Sequence, residues 1–111
     1  MLHGSGRQVR DFIHVSDAVE ATMLAGEVER ASGMALNVGT GKATSILTLA
    51  DQVTKLSGAV KSRKRFGKPR PGDTIRSCAD TSKARSILGF EAKIQLEDGL
   101  KALMRSGITC E

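Results

Sequence analysis

The sequence predicts a small mixed α/β domain of about four helices joined by short strands. Three observations predict it. The 111 residues suffice for one domain with a modest core. Ile46, Leu49, Val53 and Leu56 recur at helical spacing. Short apolar stretches bounded by Gly, Pro and Ser separate the helical segments, as strands do. The sequence contains no internal repeat and no low-complexity tract.

Met1 to Gly6 is rich in Gly and Ser and reads as loose, with no signal at His3. Gln8 to Val15 reads as a short strand, because Val9, Asp11, Ile13 and Val15 alternate with Arg10, Phe12 and His14. His14 has no Asp, Glu or Cys at ligand spacing and reads as structural. Ser16 is a good N-cap, and Asp17 suits the first turn of a helix running to about Arg30. Ala18, Ala21 and Ala25 form a small-residue stripe on that helix, with Val19, Leu24 and Val28 adding bulk. After a turn at Ala31 to Gly33, Met34 to Val38 reads as a buried strand. The clearest helix runs from Ser45, its cap, to Leu56, and Gly58 ends it. Its apolar positions read as core.

Val60 to Phe66 reads as a strand or extended connector. Six of the seventeen basic residues fall between Lys61 and Arg70. A solvated, charge-protected edge, electrostatic help for an anionic ligand, and binding of nucleic-acid phosphates all fit that run. With three Phe and no Trp or Tyr, platforms for stacking bases are nearly absent, which argues against nucleic acid. The net charge of +5 favours anionic partners. Cys78 and Cys110 fit no metal or redox spacing, and reduced thiols in a cytoplasmic protein are expected. No apolar run approaches a membrane span, so no membrane partner is expected.

The stretch from Lys68 to Ala84 combines a rigid turn, a cation, a carboxylate and a capped helix. Pro69 and Pro71 fix two φ angles and stiffen Arg70 between them. Gly72 permits a positive φ or a close backbone approach. A charged fork beside the Asp73 acceptor suits a diphosphate and a ribose; on spacing alone, a Pro/Gly turn with solvated Arg70 and Asp73 is the plainer reading. Thr74 to Ala79 is extended. Asp80 caps a helix from Thr81 to Leu88, and Gly89 and Phe90 end it. The last helix runs from Leu96 to about Arg105, with Leu96, Leu100, Leu103 and Met104 on its apolar face. Gln95 is a poor cap for it, and Gly107 to Glu111 is expected to fray.

Asn37-Val38-Gly39-Thr40-Gly41 lies between strand and helix, where a phosphate cradle would sit. It fails both well-known patterns. The third Gly of G-x-G-x-x-G would fall at Thr44, and Lys42 is not followed by Ser or Thr as a P-loop requires. Nucleotide hydrolysis is therefore not expected.

Arg70-Pro71-Gly72-Asp73, Ala79-Asp80-Thr81-Ser82-Lys83-Ala84, Leu88-Gly89-Phe90 and Leu96-Glu97-Asp98-Gly99-Leu100 follow one another in order. Upstream lie Gln8-Val9-Arg10-Asp11-Phe12-Ile13-His14-Val15 and Asn37-Val38-Gly39-Thr40-Gly41. Together they resemble the C-terminal region of the NAD-dependent epimerase/dehydratase family, the extended short-chain dehydrogenase/reductases that act on nucleotide sugars. The resemblance runs from about Gly4 to about Met104.

The resemblance implies an α/β fold that is the small mixed α+β substrate-binding region of such an enzyme. Residues 1–111 would form a single nucleotide-sugar-binding domain, without the Rossmann cofactor domain. The ligand implied is a UDP- or dTDP-sugar. Arg10 matches an arginine that reaches the substrate diphosphate; Arg10 and Arg70 would clamp it, and Asp73 would accept from a ribose hydroxyl. NAD would be bound in the full-length parent and not by this chain. The family's dinucleotide fingerprint and catalytic Tyr-x-x-x-Lys are missing, so no catalytic residue is assigned and the chain alone is expected to be inactive. It corresponds to roughly the last third of such an enzyme, a fragment or a decayed gene product. The helix after Ser16 packs on the cofactor domain in relatives, so here it should show an apolar face that self-association could cover. The alternative function is then a self-associating interaction module; a basic nucleic-acid binder is the third.

Overall fold

A computed structural model describes residues 1–59 and 61–107. Cys110 and the expected fraying of residues 108–111 lie outside the described residues, as does Val60.

The four helices are α1 (Val15–Glu27), α2 (Ile46–Leu56), α3 (Ser82–Leu88) and α4 (Leu96–Arg105). The strands are short: β1 (Leu2–His3), β2 (Val9–Arg10), β3 (Thr44–Ser45) and β4 (Phe66–Gly67). β1 pairs parallel with β4, and β2 pairs antiparallel with β3, Val9 opposite Ser45 and Arg10 opposite Thr44. On its other side β2 bridges Arg76 in parallel: Val9 N donates to Ile75 O at 2.9 Å and Ser77 N to Val9 O at 3.1 Å. β2 is thus the middle of a three-stranded arrangement.

Several expectations need correction. The first six residues are not loose, because Leu2 N donates to Arg65 O at 2.7 Å and Gly4 N to Gly67 O at 3.1 Å. The strand expected over Gln8 to Val15 pairs only at Val9 and Arg10. His14, not Ser16, is the N-cap of α1; its Nδ1 accepts from Ser16 N at 3.2 Å. This start two residues earlier follows from the ring reaching forward to the Ser16 N–H. The strand expected over Met34 to Val38 has no ladder partner among the described residues, and both ends of it are exposed. α2 is capped by Ser45 Oγ, which accepts from Thr48 N at 3.1 Å, yet it buries none of its residues. Its apolar stripe is therefore half covered, and Val53 is exposed.

The core is small. Ala21, Ala31, Ala84, Leu88 and Phe90 are buried, with Ile13, Leu24, Val28, Leu36, Ile87 and Ala92 packed against them. α3 ends as expected, with Gly89 left-handed at φ 65°. Of the alanine stripe on α1, Ala21 enters this core while Ala25 is exposed. A second stripe on the same helix, Val15, Val19 and Met23, stands in solvent. Of the face expected to lack a partner, Val19 is exposed, whereas Ala21 is buried and Leu24 and Val28 pack against the core.

The chain is more open than its size requires. Its radius of gyration is 16.4 Å, against about 13 Å for a compact domain of this length. It exposes 8159 Å², against about 5,900 Å² for a folded monomer of the same mass.

Candidate functional site

β2 holds Arg10, and the segment that bridges β2 runs directly out of the turn Arg70–Asp73. That turn closes through Asp73 N donating to Arg70 O at 3.2 Å. Pro71 at its second position and Gly72 at its third, with φ 78°, give the type II pattern, which needs a residue without Cβ there. The ladder therefore delivers Asp73 beside Arg10, although the two lie far apart in sequence.

Arg10 Nη2 donates to Asp73 Oδ1 at 2.7 Å. Arg10 Nη1 donates to Val9 O at 2.8 Å and to Thr74 O at 2.6 Å. The pair is half-exposed, so its ion-pair energy is small, about 1 kcal/mol or less; its value is directional. Met1, Leu2, His3, Gln8, Ile46 and the expected trio Arg10, Arg70 and Asp73 line one cleft of about 240 Å³. The structure thus brings all three sequence-assigned residues to one place. Two members were not legible in the sequence. His3 comes from β1, a strand too short to show periodicity, and its Nδ1 lies 3.3 Å from Lys68 O. Gln8 Nε2 donates to His3 O at 2.8 Å and to Asp73 Oδ2 at 3.1 Å.

The glycine-rich turn has another use. Asp11, next to Arg10, accepts from Thr40 N at 2.9 Å and from Gly41 N at 2.8 Å, and from the Thr40 hydroxyl. A Cβ on Gly39 would lie 2.5 Å from Asp11 Oδ2 and 2.7 Å from Ala79 Cβ, so this position admits only Gly. Partial burial pushes the Asp11 carboxyl up, but the Thr40 hydroxyl and the backbone N–H groups of Thr40, Gly41 and Ala79 outweigh it and hold it below its ordinary value of 3.8. NAD is the cofactor that the fold suggests, and its pyrophosphate does not fit this turn, whose amides already serve a carboxylate.

The lowered Asp11 value sets a pH dependence. A carboxyl depressed in the folded state contributes its full stabilisation above the unfolded value and loses it as pH falls through the folded one. The turn should therefore keep this support in full above about pH 4 and lose it progressively as pH falls further, through the depressed folded value. Protection of the Thr40 and Gly41 amides, measured against their intrinsic exchange rates, should fall in acid in the wild type. Asp11→Asn should flatten that acid step; an unchanged step would mean that another group controls the turn.

α3 begins at Ser82, one residue later than expected, with Thr81 and not Asp80 at its N-cap. Asp80 Oδ1 instead accepts from Ser82 N at 3.0 Å and from Ser82 Oγ at 2.6 Å, a local turn two residues on that precedes the helix. The Ser82 hydroxyl and backbone N–H lower its pKa. Lys83 Nζ donates to Ala35 O at 3.4 Å. The α4 start carries no side-chain cap, as expected; Gln95 Oε1 instead accepts from Lys42 Nζ at 3.0 Å. In the basic run, Lys64 pairs with Asp51 of α2, and the rest of Lys61 to Arg65 is exposed. Among the described residues no cluster of His, Cys, Asp and Glu could hold a metal ion. Among the same residues no helix is long and apolar enough to cross a membrane.

The four helices with short paired strands define the small mixed α+β region of an extended short-chain dehydrogenase/reductase. The family model described as GDP-mannose 4,6 dehydratase matches residues 1–103, and the chain belongs to that family of NAD-dependent epimerases and dehydratases. It is similar to a putative UDP-glucose 4-epimerase of Methanocaldococcus jannaschii, 34% identical over 104 residues, which covers 94% of this chain and 32% of that protein. The UDP-glucose 4-epimerase of Thermotoga maritima, solved with UDP-glucose, superposes with a TM-score of 0.86 at 34% identity, over 97% of this chain and 36% of that one. The UDP-glucuronic acid 4-epimerase of Bacillus cereus, solved with UDP-glucuronic acid and NAD, gives 0.83 at 36% identity, over 91% of this chain and 32% of that one. The chain thus spans about a third of the length of these relatives.

Proposed function

We propose that this chain is a single nucleotide-sugar-binding unit, the substrate-holding part of an NAD-dependent epimerase or dehydratase. The observation that carries the reading is that Arg10, Arg70 and Asp73 line one cleft. Two guanidinium groups suit a diphosphate, and a carboxylate suits ribose hydroxyls. Asp73 already accepts from Arg10 and Gln8, but each carboxylate oxygen retains a lone pair for a hydroxyl. The handle would be a UDP- or dTDP-group, held so that the sugar is positioned for chemistry supplied elsewhere. The sequence has no Tyr, and NAD chemistry belongs in this reading to a part of the longer relatives that the chain does not match. The chain alone turns over no sugar. A cytoplasmic setting goes with the free, half-buried Cys78.

Calorimetric titration with UDP and UDP-glucose tests the reading. Saturable binding is expected, and Arg70→Ala should weaken it about tenfold or more, the worth of one charge-assisted hydrogen bond. A folded wild-type chain that binds neither ligand would overturn it.

A second reading has its own support. The excess exposed surface and the bare Val15, Val19 and Met23 stripe favour a self-associating module. Size-exclusion chromatography with light scattering should then give a dimer or larger. A clean monomer at millimolar concentration would exclude self-association as the function.

A further inference from the structure

We propose that Gln8 is a positioning residue: through Asp73 it holds the Arg10 guanidinium in the orientation that faces the cleft. Only the identity of the ligand rests on the nucleotide-sugar reading; the positioning itself does not.

Gln8 Nε2 meets two groups that can only accept, a backbone carbonyl of His3 at 2.8 Å and the Asp73 Oδ2 at 3.1 Å. The amide therefore has one workable orientation, with its nitrogen toward both. Its Oε1 is buried and has no partner among the described residues, so the side chain is held by its nitrogen alone. The other Asp73 oxygen takes Arg10 Nη2 at 2.7 Å. A relay runs from the β1 carbonyl through Gln8 and Asp73 to Arg10. It ties β1, β2 and the Arg70–Asp73 turn together across sequence separations of 5, 65 and 63 residues.

The relay decides how much of the guanidinium a ligand can use. With Oδ2 occupied by Gln8, Asp73 engages Arg10 through one oxygen. Arg10 Nη1 spends both donors on Val9 O and Thr74 O, so among the described residues Nε–H and one Nη2–H remain for an anion. Without the Gln8 amide the carboxylate is free to rotate and to take Arg10 through both oxygens, the geometry these two groups prefer. The donors meant for a phosphate would then be consumed. Gln8 thus sets preference for a diphosphate over an uncharged nucleoside through Asp73 and Arg10.

The test is Gln8→Met, which keeps length and removes the amide. Guanidinium NMR of Arg10 in the ligand-free chain is the first readout. Hindered rotation with resolved Nη signals is expected in the wild type, and a changed rotation rate and shifted Nε and Nη signals in the variant. An Arg10 spectrum identical in both would overturn the proposal whether or not any nucleotide binds. The second readout is the ratio of UDP to uridine affinity, expected to fall about fivefold or more in Gln8→Met. An equal loss for both ligands would mean a merely structural Gln8 and overturn the proposal. Wild-type failure to bind UDP would sink the nucleotide-sugar reading and leave the NMR arm to decide on Gln8. Should Gln8→Met not fold, Asp73→Asn at the exposed turn asks the same question from the far side of the relay. Arg10 should lose its hindered rotation there, and an unchanged Arg10 spectrum would again overturn the proposal.

Discussion

Phe90→Ala is expected to destabilise the chain by about 3–5 kcal/mol, the usual cost of emptying a buried aromatic site. Phe90 is 2% exposed and is the largest fully buried side chain. Its buried neighbours in the core are Ala21, Ala31, Ala84 and Leu88. Alanines have no side-chain freedom with which to move into a void, so the cavity stays largely open and the cost falls toward the top of that range. A domain of this size has about 5–15 kcal/mol in total, and the thin core argues for the lower end. Urea denaturation followed by circular dichroism should show most of the cooperative transition lost or shifted to low denaturant. Leu103→Ala, at a side chain 49% exposed, should move the midpoint little, within about 0.5 kcal/mol. Equal effects of the two substitutions would mean that Phe90 does not organise the core.

The second large effect is expected at Asp17, a carboxylate only 2% exposed. Its oxygens accept from Lys93 N at 3.2 Å and Ile94 N at 3.0 Å. α1 thereby fixes the strand-like segment that leads into α4. Asp17→Ala leaves both amides without a partner in a site closed to water. Each such group costs about 1–3 kcal/mol, so a loss of about 3 kcal/mol is expected. Hydrogen exchange at Lys93 and Ile94 should accelerate selectively, ahead of exchange in α2. Asp17→Asn keeps one acceptor oxygen and should cost about half as much. Unchanged exchange at these two amides in Asp17→Ala would show that α4 is placed by its apolar contacts alone.

Asp17 and Asp11 mark the limit of what could be read in advance. Asp17 was assigned to the favourable first turn of a helix, and it is there; nothing local says that its acceptors serve a segment 76 residues away. Asp11 was read as one member of an alternating strand. Its partners, Thr40 and Gly41, sit 29 and 30 residues on, in the turn that two phosphate-binding patterns failed to fit. The failure of those patterns was legible, but the reason was not: the carboxylate that fills the turn comes from another segment. The short strands failed for a related cause. A ladder of two residues has no periodicity, so β1 could not be told from a loose terminus.

By itself the sequence determined the four helices and several of their ends, because these follow from local chemistry. Ser45 caps α2, Gly89 takes the left-handed position after α3 and Gln95 leaves α4 without a side-chain cap. It also determined the family, through several short motifs in a fixed order. Tertiary structure alone decided which apolar stripes are covered. α2 has a clean helical pattern and buries none of its residues, while Val15, Val19 and Met23 on α1 remain in solvent. Periodicity tells which face of a helix is apolar; whether anything covers it depends on how distant segments pack. The cleft was decided the same way, since Arg10 and Asp73 meet only because β2 bridges the strand that leaves the Arg70–Asp73 turn.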